Sequence, residues 1–146
     1  MIARVLLLGA LLPLACPAAD EQLVPGQLTQ VTDQAGFRWD FRQGGGINDG
    51  SNDLFDGALQ FTLATRPAGS GTPFQQPRHR GSQWTVLQHP DTGEWVLTAQ
   101  GPNGLQASRR ILVDQQGFVR YVELLSNTGQ QDLEARISIR CDLGNR

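Results

Sequence analysis

The segment LEARISIRC, residues 133–141, alternates without a fault: Leu133, Ala135, Ile137, Ile139 and Cys141 take one phase and Glu134, Arg136, Ser138 and Arg140 the other. Successive side chains of an extended strand point to opposite faces, so a strict period of two demands a strand with one buried and one wet face. GFRWDFR (37–42 with its leading Gly36) obeys the same rule, setting Phe37, Trp39 and Phe41 against Arg38, Asp40 and Arg42. No long helical period, heptad or internal repeat competes with this pattern.

Between these two segments lie LQFTLAT (59–65), QWTVLQ (83–88), EWVLTAQ (94–100), LQASRRILV (105–113) and FVRYVELLS (118–126), all rich in β-branched and aromatic residues. HPDTG (89–93), GPNG (101–104), DQQG (114–117) and NTGQQ (127–131) supply the Gly, Asn and Asp that tight reversals use. The spacing predicts an antiparallel meander from about residue 83 to 141. An early strand near QLTQVTD (27–33) brings the total to about eight. The expected fold is therefore all-β, an antiparallel β-sandwich, with a half-open barrel as second choice. RPAGSGTPFQQPRHRGS (66–82) reads as a long exposed connection crossing from one sheet to the other. The strand at 133–141 stands at the end of this series: either it sits in the middle of a sheet before a short terminus or, the favoured expectation, it is an edge strand that calls for cover by a protein partner or a continuation of the chain.

MIARVLLLGALLPLACPAAD has one Arg, an apolar run from Val5 to Leu14 and small residues at Ala15, Ala18 and Ala19, the layout of a secretory signal peptide. The run is too short to span a bilayer as a stable helix, and no transmembrane segment is expected in the mature chain. Residues 1–19 are thus the expected signal peptide and 20–146 a single β-rich domain, incomplete at its C-terminal end if a continuation covers the last strand. Export implies a periplasmic or extracellular location. PLAC offers a second route, resembling a bacterial lipoprotein signal that would leave Cys16 acylated, but Pro13 and Pro17 depart from that pattern. With cleavage near Ala18 or Ala19, Cys141 is the sole remaining thiol and is expected as a small buried apolar residue rather than half of a disulfide.

The formal net charge is −2, and loss of Arg4 with the leader makes the chain one unit more negative, so no electrostatic footprint for nucleic acid exists. Every basic residue is Arg, which removes lysine-based Schiff-base chemistry.

GGGINDGSNDLFDG (44–57) is the chemically most suggestive stretch, with side-chain oxygens on Asn48, Asp49, Ser51, Asn52, Asp53 and Asp56. Such a loop suits a hard cation, and Asp49, Asn52, Asp53 and Asp56 are the candidate Ca²⁺ ligands. Aligned on the EF-hand loop from Asp49, however, the sixth position is Leu54 and the twelfth Gln60, where Gly and Glu belong. The competing reading is an Asx-rich turn joining GFRWDFR to LQFTLAT.

Catalytic constellations are sparse. His79 and His89 sit in loop contexts outside any metal-binding spacing, and G-x-S-x-G is missing. Asp40, Glu94, Glu123 and Glu134 fall on strands, where a facing pair would suit a glycosidase, but nothing selects a pair. Trp84 and Trp95, on consecutive strands, are a candidate platform for carbohydrate and equally candidates for the core.

Two resemblances follow from these residues. VRYVELLSNTGQQDLEARISI resembles the NTG hairpin of bacterial Ig-like surface modules, and GGGINDGSNDLFDGAL resembles a stretch of uncharacterised exported bacterial proteins. Both imply export and β-structure, and neither implies an activity. The sequence-level expectation is an exported, non-catalytic binding or assembly module, with a carbohydrate-active enzyme or its accessory domain as the alternative.

Overall fold

The computed structural model describes residues 22–51, 54–55, 57–75 and 84–142. The ten strands of these residues are β1 (Val24–Pro25), β2 (Val31–Thr32), β3 (Arg38–Phe41), β4 (Ile47–Gly50), β5 (Gln60–Pro67), β6 (Thr85–Gln88), β7 (Trp95–Gln100), β8 (Leu105–Asp114), β9 (Phe118–Asn127) and β10 (Leu133–Arg140). The fold is all-β, antiparallel and sandwich-like, with no closed barrel. No helix of the described residues is long and apolar enough to cross a membrane.

One layer is a five-stranded sheet in the order β1-β6-β7-β8-β9; the other is made of a three-stranded sheet β2-β3-β4 and a two-stranded ribbon β10-β5. The pieces of the second layer touch through a bridge between Ile47 and Ala58, whose carbonyl accepts the Ile47 N–H at 2.9 Å. Period two explains which face packs. Along β8, Leu105, Ala107, Arg109 and Ile111 are buried while Gln106, Ser108, Arg110 and Leu112 alternate with them on the outer face. Two clusters fill the space between layers. Trp39, Phe41, Ile47 and Ala58 meet Trp95, Leu97 and Ile111, and Leu63 meets Leu105 and Ala107.

Local chemistry sets the hairpins. Asp33 is buried at the β2–β3 turn, where its carboxylate accepts the Phe37 N–H at 2.9 Å and the Trp39 indole N–H at 3.0 Å, fixing the largest side chain of β3 against the core. The β3–β4 turn closes with Arg42 N–H donating to the Gly46 carbonyl and Gly45 N–H to the Arg42 carbonyl.

Four expectations are corrected. The stretch 44–57 is not simply a turn, because Ile47–Gly50 forms β4, paired with β3 across Asp40 and Asp49. The meander ends at β9. β10 pairs instead with β5 over its whole length, so NTGQQ is a crossover, pinned by Thr128, whose N–H and hydroxyl both donate to the Gly104 carbonyl. Asn and Gly serve a crossover as well as a hairpin, which is why the turn chemistry did not separate the two. On β10 the apolar phase is buried only at its start: Ile137 and Ile139 are 48% and 50% exposed, and Cys141 is an exposed free thiol. The reason is that Phe61 and Leu63 of β5, opposite Ile139 and Ile137, already occupy the inner cluster and its margin, and the ribbon overhangs it. The long connection joins β5 and β6, which lie in different sheets; its described part folds back at Gln75 onto Thr65, and residues 76–83 lie outside the described set.

Gly45 is the tightest backbone position of the core. Its φ is +75°, and a Cβ there would run into Ile111 Cδ1 with Arg109 Cδ at 3.1 Å and Leu97 Cδ2 at 3.2 Å. Gly45→Ala should therefore cost about 3 kcal/mol, from left-handed strain added to overpacking; the urea midpoint measures it, and a midpoint equal to that of the parent chain would contradict the packing described.

Candidate functional site

Arg109 is 1% exposed, and its guanidinium joins the layers. Nε lies 2.7 Å and Nη2 2.6 Å from Glu123 Oε1 on the neighbouring β9, while Nη1 donates to the carbonyls of Gly44 (2.9 Å) and Leu59 (3.0 Å) in the opposite layer. Phe61 and Tyr121 flank it, with ring centroids 5.1 and 5.0 Å from Cζ. The Tyr121 hydroxyl donates to the Gly45 carbonyl at 2.8 Å, and burial pushes its phenol well above its ordinary value. Two consecutive carbonyls of the β3–β4 turn are thus clamped from the facing sheet.

The outer side of that clamped turn borders a cleft of about 330 Å³, lined by Gly26, Gln27, Leu28, Phe41, Gln43, Gly44, Trp84 and Val86. Three separate segments build it: the chain leaving β1, the β3–β4 turn, and the start of β6. Gly26 N–H donating to the Val86 carbonyl at 3.0 Å holds the first wall to the third. Trp84 sits where the two core clusters meet, edge-on to Phe61 with centroids 6.3 Å apart.

The candidate carbohydrate platform is only half present. Trp84 lines the cleft, but Trp95 is 3% exposed and packs edge-on against Phe41, so it belongs to the core. Nor are the two neighbours: Trp95 pairs with Gln88, at the far end of the β6–β7 hairpin from Trp84.

The candidate cation ligands are mostly out of view. Asn52, Asp53 and Asp56 lie outside the described residues. Asp49 Oδ1 accepts the Gly50 N–H at 2.6 Å, Ser51 Oγ the Arg38 N–H at 2.8 Å, and Asn48 bridges Arg42 and Asp40, so the described oxygens of the stretch serve the β3–β4 hairpin. Among the described residues no group of three or more His, Cys, Asp and Glu side chains is placed to hold a metal ion. His79 is likewise outside the described set.

The strand carboxylates are held by arginines rather than by one another. Glu134 meets Arg66 at 2.5 Å and accepts the Gly69 N–H, the larger of the two effects that lower its carboxyl. Glu94, whose side chain is 6% exposed, receives Arg110 from β8 and Arg120 from β9, the latter at 2.8 Å. Burial pushes the Glu94 carboxyl upward, but the hydrogen bonds from Arg110 and Arg120 outweigh it and hold the group below the ordinary carboxylate range.

No family model, curated protein or solved structure matches the chain.

Because the folded pKa of Glu94 is depressed, its contribution to stability is complete above the unfolded value near 4.5 and disappears as pH falls through the folded one. Glu94→Gln should cost roughly 1–2 kcal/mol at neutral pH. That difference should hold steady down to about pH 5 and shrink below it. Urea midpoints across a pH series read this directly, and a difference that is unchanged in strong acid would refute the assignment.

Proposed function

We propose that this chain is an exported, non-catalytic β-sandwich serving at the bacterial envelope or outside the cell as an assembly module, docking a protein partner or a further stretch of its own chain along β10. The observation that carries the reading is the state of that strand. Among the described residues β10 pairs on one side only, and Ile137 and Ile139 are half exposed beside the free edge. An unpaired strand with an apolar row is a template for strand addition. Among the described residues β9, ten residues long, is the edge strand of the other layer, and its Leu125 packs against the same cluster as Leu133 of β10, so the two edges border the same region.

The arrangement of the carboxylates supports a non-catalytic role. Glu94, Glu123 and Glu134 are each engaged by arginine, and Asp40 accepts from Asn48 at 3.1 Å, so these four acids serve structure. The N-terminal leader pattern supports export.

A photo-reactive amino acid at position 138, on the overhanging strand, should crosslink to a partner in living cells, while the same group at the exposed turn residue Gln115 should not. The double substitution Ile137→Asp/Ile139→Asp should abolish the crosslink while shifting stability by no more than about 1 kcal/mol, since neither side chain is in the core. Equal yields at 138 and 115, or slow amide exchange along both edges in an isolated monomer, would remove the basis for the proposal.

A further inference from the structure

The cleft beside Trp84 is distinct from the open edge of β10, and its chemistry is specific. Among its described lining residues there is no ionisable side chain. A cationic or anionic ligand would lose its hydration there without gaining a counter-charge. An entirely apolar ligand fits no better, because Gln27 and Gln43 stand exposed at the cleft and neither side-chain amide is engaged by another described residue. Each offers both donors and an acceptor. The indole N–H of Trp84 is a third polar group with no partner among the described residues.

Gly44 leaves room beside that indole edge. Its φ is +83°, and a Cβ at this position would stand 3.2 Å from Trp84 Nε1 and 3.4 Å from Cδ1. Its carbonyl, meanwhile, is tied to Arg109 at 2.9 Å on the core side. The turn is therefore fixed in the orientation that leaves the Trp84 edge accessible. Leu28, Phe41 and Val86 supply the apolar part of the lining.

We infer that this cleft is a binding site for a neutral saccharide, taking one hexopyranose-type ring. Such a ring is uncharged, carries hydroxyls that both donate and accept around its rim, and presents C–H groups to aromatic and aliphatic walls. The volume of about 330 Å³ stands at the small end of small-molecule sites, roughly 300–1,000 Å³, which suits a single ring and not a long occupied groove. Gln27 and Gln43 bind the rim hydroxyls, the Trp84 N–H gives a third hydrogen bond, and the apolar part of the lining receives the ring face.

The test is a titration of the intact chain with neutral methyl hexosides and the corresponding linear oligosaccharides, following the indole N–H resonances by NMR, with adenosine and uridine as comparison probes. One indole signal should shift saturably with a Kd of the order of 1 mM, as expected for so small a ligand. The Kd should not change between ~0.05 and ~0.5 M salt, since no charge takes part. Gln27→Ala and Gln43→Ala, which disturb no described hydrogen bond, should keep the backbone spectrum of the parent and each raise the Kd about fivefold, the loss of one neutral hydrogen bond. Equal affinity for hexoside and oligosaccharide assigns the site to a lone ring and tighter oligosaccharide binding to a ring within a chain; both support it. No saturable shift with any saccharide up to ~50 mM, a response to the nucleosides alone, strong salt dependence, or a Gln27→Ala/Gln43→Ala double variant that binds as the parent does would each overturn it.

Discussion

A single buried guanidinium sets the offset of the two layers. Removing Arg109 from water is expensive, and the cost is offset by an ion pair with Glu123, hydrogen bonds to the backbone carbonyls of Gly44 and Leu59, and the flanking rings of Phe61 and Tyr121. Lysine would not substitute, since a point charge cannot reach three acceptors in a planar fork. Leu59 takes a positive φ of 53°, uncommon for a branched side chain, and its carbonyl is one of the acceptors. The guanidinium thus also holds the turn into β5 in a conformation that the local sequence does not favour.

The outline of the sandwich was legible in the chain because period two survives in most strands. β3, β5, β6, β7, β8, β9 and β10 all fall where alternation and β-branched content place them. β4 was hidden because Asn-Asp-Gly belongs as readily to a strand end as to a turn, and no apolar alternation marks it. Partner choice was hidden as well, since an alternating strand says which face is apolar and nothing of which strand lies beside it. Arg109 did leave a signal: in LQASRRILV it falls in phase with Leu105, Ala107 and Ile111, and a charge on the apolar phase marks a buried, paired ion. The cleft left almost none. Trp84 stands out by type, but Gln27, Leu28 and Gln43 come from separate segments and join it only in three dimensions.

The two rims of the five-stranded sheet are finished differently. At one rim β1 is two residues long and includes Pro25, which has no N–H to offer an incoming strand. At the other rim β9 runs for ten residues with Phe118 and Leu124 half exposed. Among the described residues one rim is blunted against strand addition and the other is not. The ion cluster of Glu94 with Arg110 and Arg120 ties β7, β8 and β9 together on the outer face near the β9 rim.

The crossover to β10 also dictates the order in which the chain can assemble. Arg66 and Glu134, which face each other across β5 and β10, are 68 residues apart, and closing so wide a loop carries an entropic penalty that nearer pairings do not face. The β6–β9 hairpins can zip locally, whereas β5, made early in synthesis, stays without its partner strand until nearly the whole described chain has emerged. During that interval the row Phe61, Leu63 lacks its lateral neighbour, so a pairing with a high loop-closure cost coincides with the exposure of an apolar row in one strand pair.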